Sequence, residues 1–168
     1  MAYELYMQVE GEKQGKFKGT SPRKAWAEKN ACISYRYGVQ SPRDVASGQQ
    51  SGKRQHEPVT IVKEWDAASP QIFQALVTNE VLKKVTFEFL KTSAKGEEQV
   101  YFMVTLTNAT VCTLRQMTGG GSGGGEGSAK HTSAKDTMEL EEVAFTFDRI
   151  DIEDKINGVM AADSWTGN

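Results

Sequence analysis

The segment VYFMVTLT, residues 100–107, carries an apolar side chain at every second position. Side chains of an extended strand point alternately to the two faces of a sheet, so this spacing predicts a strand with one face on a core. The spacing also occurs at Tyr3, Leu5, Met7 and Val9; at Ile33, Tyr35, Tyr37 and Val39; at Val85, Phe87 and Phe89; at Val143, Phe145 and Phe147; and at Ile150 and Ile152. With the shorter runs 59–62 and 111–114, it predicts about eight antiparallel strands.

One segment, SPQIFQALVTNE at residues 69–80, has helical spacing instead. Ser69 is predicted as the N-cap and Pro70 as the first helical residue, where its missing N–H costs nothing. A single apolar stripe predicts that the helix packs on a sheet or closes the end of a barrel. The fold class expected is therefore mainly β, an antiparallel β-barrel of about eight strands with one flanking α-helix. The stripe consists of Ile72, Phe73, Leu76 and Val77.

The composition indicates one globular domain spanning residues 1–168, long enough to bury its own core. No apolar run is long enough to span a bilayer, and the N-terminus does not have the pattern of a secretory signal, so we expect no membrane insertion and no signal peptide. The net charge of -2 disfavours nucleic-acid binding.

Charge is distributed unevenly along the chain. Residues 1–58 carry ten Lys or Arg and six Asp or Glu, whereas residues 136–168 carry two and nine. In the folded subunit, the basic and acidic segments either lie close together, so that their charges cancel, or lie on two different faces. The second arrangement would favour head-to-tail association.

The glycine-rich stretch TGGGSGGGEGSAK, residues 118–130, does not fit a phosphate-binding loop. A dinucleotide-binding loop opens a helix, and the residues that follow here have no apolar stripe. A P-loop is also disfavoured, because Lys130 follows Ala129 and precedes His131. We expect a flexible loop. It belongs to the last of three long polar segments, 11–31, 40–57 and 117–138.

No residue pattern indicates a catalytic, cofactor or metal site, so the protein is not expected to be an enzyme. His56 and His131 lie far from each other and from any cysteine; a structural hydrogen bond is expected for the first and solvation for the second. Cys32 and Cys112 are predicted to be buried thiols, with a disulfide left open. A solvated charged edge is predicted for Glu141, Glu142, Asp151 and Glu153.

Three segments together resemble the Hcp family, the tail-tube subunits of the bacterial type VI secretion system. The first is YELYMQVEGEKQGKFKGTS, and the third is ELEEVAFTFDRIDI with the later pair Ser164 and Trp165. The second, SGKRQHEPVTIVKEWDAASPQIFQAL, has the family's His, short strand, Lys, Asp and Ser-Pro at the start of the helix. These positions are His56, Lys63, Asp66, Ser69 and Pro70.

The resemblance implies a structural subunit with no cofactor. Members form six-membered rings that stack into a hollow tube, whose lumen can hold effector proteins. A contractile sheath propels the tube out of the cell with its spike. The implied partners are therefore other copies of the chain, effectors, sheath and spike proteins. The implied location is the bacterial cytoplasm during assembly and the exterior after secretion.

The resemblance also suggests which residues have roles. It places the strand CISYRYGV on the lumen, where Ser34 and Arg36 would contact cargo; a solvated outer position for Arg36 stays equally open. The loop 40–56 matches an extended loop that reaches a neighbouring subunit or ring, with a disordered loop as the alternative. The residues expected at such interfaces are Arg43, Lys53, Arg54 and His56 on the loop, and Glu153 and Asp154 opposite them.

Two other functions are compatible with a β-barrel. One is a monomeric, lipocalin-like barrel that binds a small ligand in an apolar cavity. The other is a hydrolase whose site is assembled from residues distant in sequence.

Overall fold

The computed structural model describes residues 3–21, 23–118 and 139–166. The glycine-rich stretch from residue 119 onward and His131 lie outside these residues. No helix in the described part of the chain is long and apolar enough to cross a membrane. The elements are β1 (Glu4–Gly11), β2 (Gly15–Lys16), a 3-10 turn (Lys24–Trp26), β3 (Asn30–Arg36), β4 (Val39–Gln40), β5 (Gln55–His56), β6 (Val59–Glu64), α1 (Ser69–Val77), β7 (Leu82–Thr92), β8 (Glu98–Met117), β9 (Leu140–Thr146), β10 (Arg149–Asp154) and β11 (Val159–Ser164).

Six strands form a closed ring. β1 lies between β3 and β7, and β6 joins β3 to β9. β8 closes the ring because it pairs with both β7 and β9. Every pairing is antiparallel, so the predicted antiparallel barrel with one flanking helix is confirmed.

The long strand β8 spans twenty residues and joins the two runs that the alternation pattern separated. Its second half, from Thr110 to Met117, pairs with β9 to complete the ring. Its first half, from Phe102 to Thr107, pairs with β10, which carries β11 on its other edge. β11 is a strand that the sequence pattern missed. The β10–β11 hairpin therefore extends the sheet outside the ring.

Large apolar side chains fill the barrel interior. Met7, Ile61, Phe87 and Phe145 have no exposed surface. Phe87 packs edge-on against Phe145 with ring centroids 6.2 Å apart. Among the described residues, this filled interior leaves no apolar cavity of the kind that a lipocalin-like function requires.

The helix differs from its predicted form. Its N-cap is Ala68 rather than Ser69, and Ser69 instead enters a buried hydrogen-bond network. Ile72 is buried in the core as expected, but Phe73 and Val77 point to solvent with exposed fractions of 54% and 55%. The predicted single stripe is thus wrong, because α1 has apolar side chains on both its inner and its outer side.

A bulge in β3 changes the predicted inward set. The register with β6 shifts between Cys32 and Ser34, which turns Ile33 outward and packs Cys32 against the core. Burial raises the pKa of the Cys32 thiol to about 12. Cys112 is exposed, so the prediction of two buried thiols is wrong for this residue.

A buried ionic network joins the barrel to the start of α1. Lys63 in β6 and Glu141 in β9 are directly paired across the sheet, and neither side chain is exposed. The Lys63 Nζ lies 2.7 Å from Glu141 Oε1 and 2.8 Å from Asp66 Oδ1. Ser69 Oγ donates to the same Glu141 oxygen at 2.7 Å. The prediction that Glu141 lies on a solvated edge is therefore wrong.

Candidate assembly surfaces

The segment from Val39 to His56, hereafter the arm, is an ordered ribbon. The two strands of the arm, β4 and β5, pair with each other at its base, where Val39 lies opposite His56. Farther out, Arg43 forms an isolated bridge with Gln50. The alternative of a disordered loop does not hold here, because backbone pairing gives the ribbon a defined shape.

The tip of the arm is a tight turn with an apolar side chain. The Asp44 carboxylate accepts hydrogen bonds from the backbone N–H groups of Ala46 at 3.1 Å and Ser47 at 2.7 Å. Gly48 takes a φ of +71°, which favours glycine. Val45 is completely exposed at this tip. The arm therefore carries an exposed apolar side chain on a preformed turn at its tip.

Four side chains, hereafter the latch, hold the base of the arm against β11. The Asp163 carboxylate accepts hydrogen bonds from the Arg54 guanidinium and from His56 Nε2, the latter at 2.8 Å. Since an ionised carboxylate can only accept, His56 Nε2 must carry a proton. The Tyr37 hydroxyl lies within hydrogen-bond distance of the other ring nitrogen, with 2.6 Å between its oxygen and His56 Nδ1. The latch consists of Tyr37, Arg54, His56 and Asp163.

Aromatic rings enclose the histidine of the latch. His56 stacks on Trp165 at a centroid distance of 5.9 Å and meets the edge of Phe147 at 5.6 Å. Its side chain is 1% exposed. This burial restricts the ring to one orientation and so fixes the direction in which the arm leaves the barrel.

The latch also affects the predicted interface residues. Arg54 pairs with Asp163 within its own chain while its side chain stays 36% exposed, and the His56 side chain is buried with both ring nitrogens engaged. Their role at an interface stays a prediction. Arg43 and Lys53 are exposed and form no ion pair with another described residue. Because Arg54 and Asp163 come from the basic and acidic parts of the sequence, charge cancels within the fold at this position.

The acidic residues expected opposite the arm lie at the β10–β11 turn. Asp154 caps that turn, because its carboxylate accepts from the backbone N–H of Ile156 at 2.9 Å and of Asn157 at 3.1 Å. Glu153 lies 3.3 Å from Lys155 in an ion pair. Both carboxylates are partly exposed, and their role in an interface stays a prediction.

The two predicted lumen residues are exposed on the outer side of β3. Ser34 pairs with Val62 of β6, and Arg36 pairs with Thr60. Neither side chain contributes to the core. A single subunit has no lumen, so their luminal position stays a prediction.

Disruption of the latch should lower the free energy of unfolding by an amount that depends on pH. The Arg54 guanidinium holds the pKa of Asp163 at about 2, below its ordinary value. A depressed pKa in the folded state stabilises the protein above the unfolded pKa of about 3.9 and loses that effect as the pH falls toward 2. We expect Asp163→Asn to lower the free energy of unfolding by up to about 2 kcal/mol at pH 7. Denaturant titrations from pH 7 to pH 2 should show this difference shrinking below about pH 4.

The matched control is Asp148→Asn, which changes an exposed carboxylate in the neighbouring turn. It should alter stability by less than about 0.5 kcal/mol. A difference between wild type and Asp163→Asn that persists unchanged at pH 2 would contradict the assigned role of the carboxylate.

Comparison with known proteins gives consistent matches along nearly the whole chain. A family model described as "Type VI secretion system effector, Hcp" matches residues 6–153. The chain is 29% identical over 174 residues to the "Major exported protein" of Pseudomonas aeruginosa, covering 98% of this chain and 96% of that protein.

Solved structures match the fold. A crystal structure of an Hcp protein has a TM-score of 0.84 at 22% identity and covers 98% of both chains. The secreted protein Hcp3 from Pseudomonas aeruginosa has a TM-score of 0.76 at 24% identity, covering 98% of this chain and 99% of that one. This chain therefore shares its overall fold with these proteins.

Proposed function

The chain belongs to the Hcp family of type VI secretion proteins, and we propose that it is the structural subunit of a tail tube, assembled as stacked homohexameric rings. The match of the family model to residues 6–153 carries this proposal. The fold supports it, because the barrel interior is filled by side chains and an ordered arm projects from its surface. The filled interior disfavours the alternative of a monomeric ligand-binding barrel.

Export and cargo complete the proposal. The name of the relative, "Major exported protein", supports export of this chain. The rings would assemble in the cytoplasm and then leave the cell as part of the tube. Effector proteins would occupy the lumen, and the sheath and spike proteins would contact the outside and the end of the tube. Ser34 and Arg36 would face the lumen, where the guanidinium attracts acidic cargo surfaces.

The arm is proposed to reach a neighbouring ring. Its exposed cations, Arg43 and Lys53, would approach acidic groups of the partner such as Glu153 and Asp154. The latch supports this role, because a ribbon that is already ordered loses less conformational entropy when it binds.

A measurement of mass and shape tests the proposed function. We expect light scattering to give about 111 kDa, six times the 18.5 kDa of one chain. A reconstruction of the particles by electron microscopy should show rings with a central hole, with Ser34 and Arg36 facing it. Particles of one chain at every concentration would contradict the proposed ring. Rings with these two side chains on the outside would contradict only their luminal position.

A further inference from the structure

The turn between β10 and β11 contains the pair Asn157 and Gly158. Asn157 is the only asparagine in residues 1–168 that precedes a glycine, and both residues of the pair are exposed. Gly158 has a φ of +68°, which favours glycine, and no atom lies within 4 Å of the position that a Cβ would take. The shape of the turn thus requires a glycine here, and the glycine leaves its backbone nitrogen unshielded.

An asparagine before glycine can lose its side-chain amide without an enzyme. The glycine nitrogen gives up its proton to hydroxide, because peptide resonance makes the neutral nitrogen a poor nucleophile. It then bonds to Cγ of the asparagine, and the side-chain nitrogen takes a proton from water and leaves as ammonia. Water opens the resulting succinimide ring at either of its two carbon–nitrogen bonds, which leaves aspartate or isoaspartate. The net reaction consumes one water and releases one ammonia.

Asp154 holds both reacting groups of this pair. Its Oδ2 accepts a hydrogen bond from the Asn157 side-chain nitrogen at 2.7 Å, and its backbone carbonyl accepts one from the Gly158 N–H at 2.9 Å. Its Oδ1 also accepts from the backbone N–H of Asn157 at 3.1 Å. These hydrogen bonds, first of all the one from the Asn157 side chain, lower the pKa of Asp154, so this group is an ionised carboxylate at neutral pH.

We propose that Asn157 is a site of spontaneous deamidation and that Asp154 sets the rate by holding the side-chain amide away from the Gly158 nitrogen. Ring closure requires the amide to leave Oδ2 and the nitrogen to leave the carbonyl, so both hydrogen bonds must break first. The carboxylate also disfavours the anionic nitrogen that must form beside it. Asp154 therefore protects the reactive pair that the turn requires.

Deamidation would change the outer edge of the sheet. In the aspartate product, the donor of the 2.7 Å hydrogen bond is lost and a second carboxylate lies beside that of Asp154. In the isoaspartate product, the main chain gains one carbon atom inside the loop that the pairing of Asp154 with Val159 closes. Both products weaken the β10–β11 hairpin, and isoaspartate does so more because it alters the length of the loop.

Peptide mapping by mass spectrometry tests the proposal on the full chain incubated at mildly alkaline pH. We expect folded Asp154→Ala to deamidate at Asn157 about tenfold faster than folded wild type, or more, because it loses hydrogen bonds to a charged group. Wild type unfolded in urea should react at least as fast as this variant, since the pair is unrestrained there. The matched control is Glu153→Ala, which removes a neighbouring carboxylate that pairs with Lys155 instead, and it should react at the rate of wild type.

Two results would overturn the assigned role of Asp154: equal rates for Asp154→Ala and wild type, or the same acceleration in Glu153→Ala. Equal rates for folded and urea-unfolded wild type would show that the turn gives no protection. Conversion of another asparagine ahead of Asn157 in Asp154→Ala would contradict the assignment of the site. As a second measurement, hydrogen exchange of the β11 amides should become faster as isoaspartate accumulates, and unchanged exchange would contradict the expected weakening of the hairpin.

Discussion

Lys63→Met is expected to lower the free energy of unfolding by about 3–5 kcal/mol, because it leaves the Glu141 carboxylate buried without its cation. Both side chains are completely buried, and the lysine also contacts Asp66 at 2.8 Å. The loss should appear in urea denaturation as a lower midpoint with an unchanged slope. All variants must be compared at one protein concentration, since assembly alters apparent stability.

A double variant distinguishes the effect of the unpaired buried charge on stability from the effect of lost packing. Lys63→Met with Glu141→Leu removes the two fully buried charges and leaves Asp66 without its lysine, so we expect it to recover part of the stability lost in the single variant. Lys84→Met, which replaces an exposed lysine on β7, should change the free energy of unfolding by less than about 0.5 kcal/mol. Equal stabilities of Lys63→Met and wild type would show that the network contributes nothing.

Phe87→Ala is expected to lower the free energy of unfolding by about 3–5 kcal/mol through the cavity that it leaves in the barrel. The ring has no exposed surface and lies between Tyr35 and Phe145, with centroid distances of 5.3 and 6.2 Å. Tyr35 lies on β3 and Phe145 on β9, and both strands are held by their own pairing in the ring, so the site cannot easily collapse around the missing ring. Thermal or urea unfolding measures the loss.

Two comparisons show whether burial is the cause. Phe87→Leu keeps much of the side-chain volume and should lose clearly less stability than Phe87→Ala. Tyr3→Ala removes an aromatic ring that is 65% exposed and should stay within about 0.5 kcal/mol of wild type. A loss for Tyr3→Ala as large as that for Phe87→Ala would mean that burial does not explain the effect.

Alternation of side chains predicted the barrel because each strand has one face on the core. The same alternation also contained an unused signal. Lys63 follows Val59 and Ile61 on the inward face of β6, and Glu141 precedes Val143 on the inward face of β9. Two opposite charges at inward positions of strands indicate a buried ion pair, so this network was accessible from the sequence.

Other features depend on tertiary contacts and were not accessible. A one-residue bulge turned Ile33 outward, and bulge positions are set by strand pairing rather than by the local pattern. β11 is a strand because it pairs with the edge of β10 that does not contact β8. The latch brings Arg54 and His56 to Asp163, more than a hundred residues away, and no spacing rule predicts that meeting. The apolar residues of α1 were recognised, but their division between two sides depends on where the barrel lies.

The position of β8 between two sets of partners has a consequence for synthesis on the ribosome. β8 can pair with β7 as soon as both have emerged, because a short turn joins them. Its other edge waits for β9 and β10, which end 37 residues later at Asp154. At a translation rate of about 5–20 residues per second, that edge stays open for about 2–7 s in each new chain. Nascent chains on neighbouring ribosomes are thus most able to pair wrongly during this interval, before the ring of strands closes.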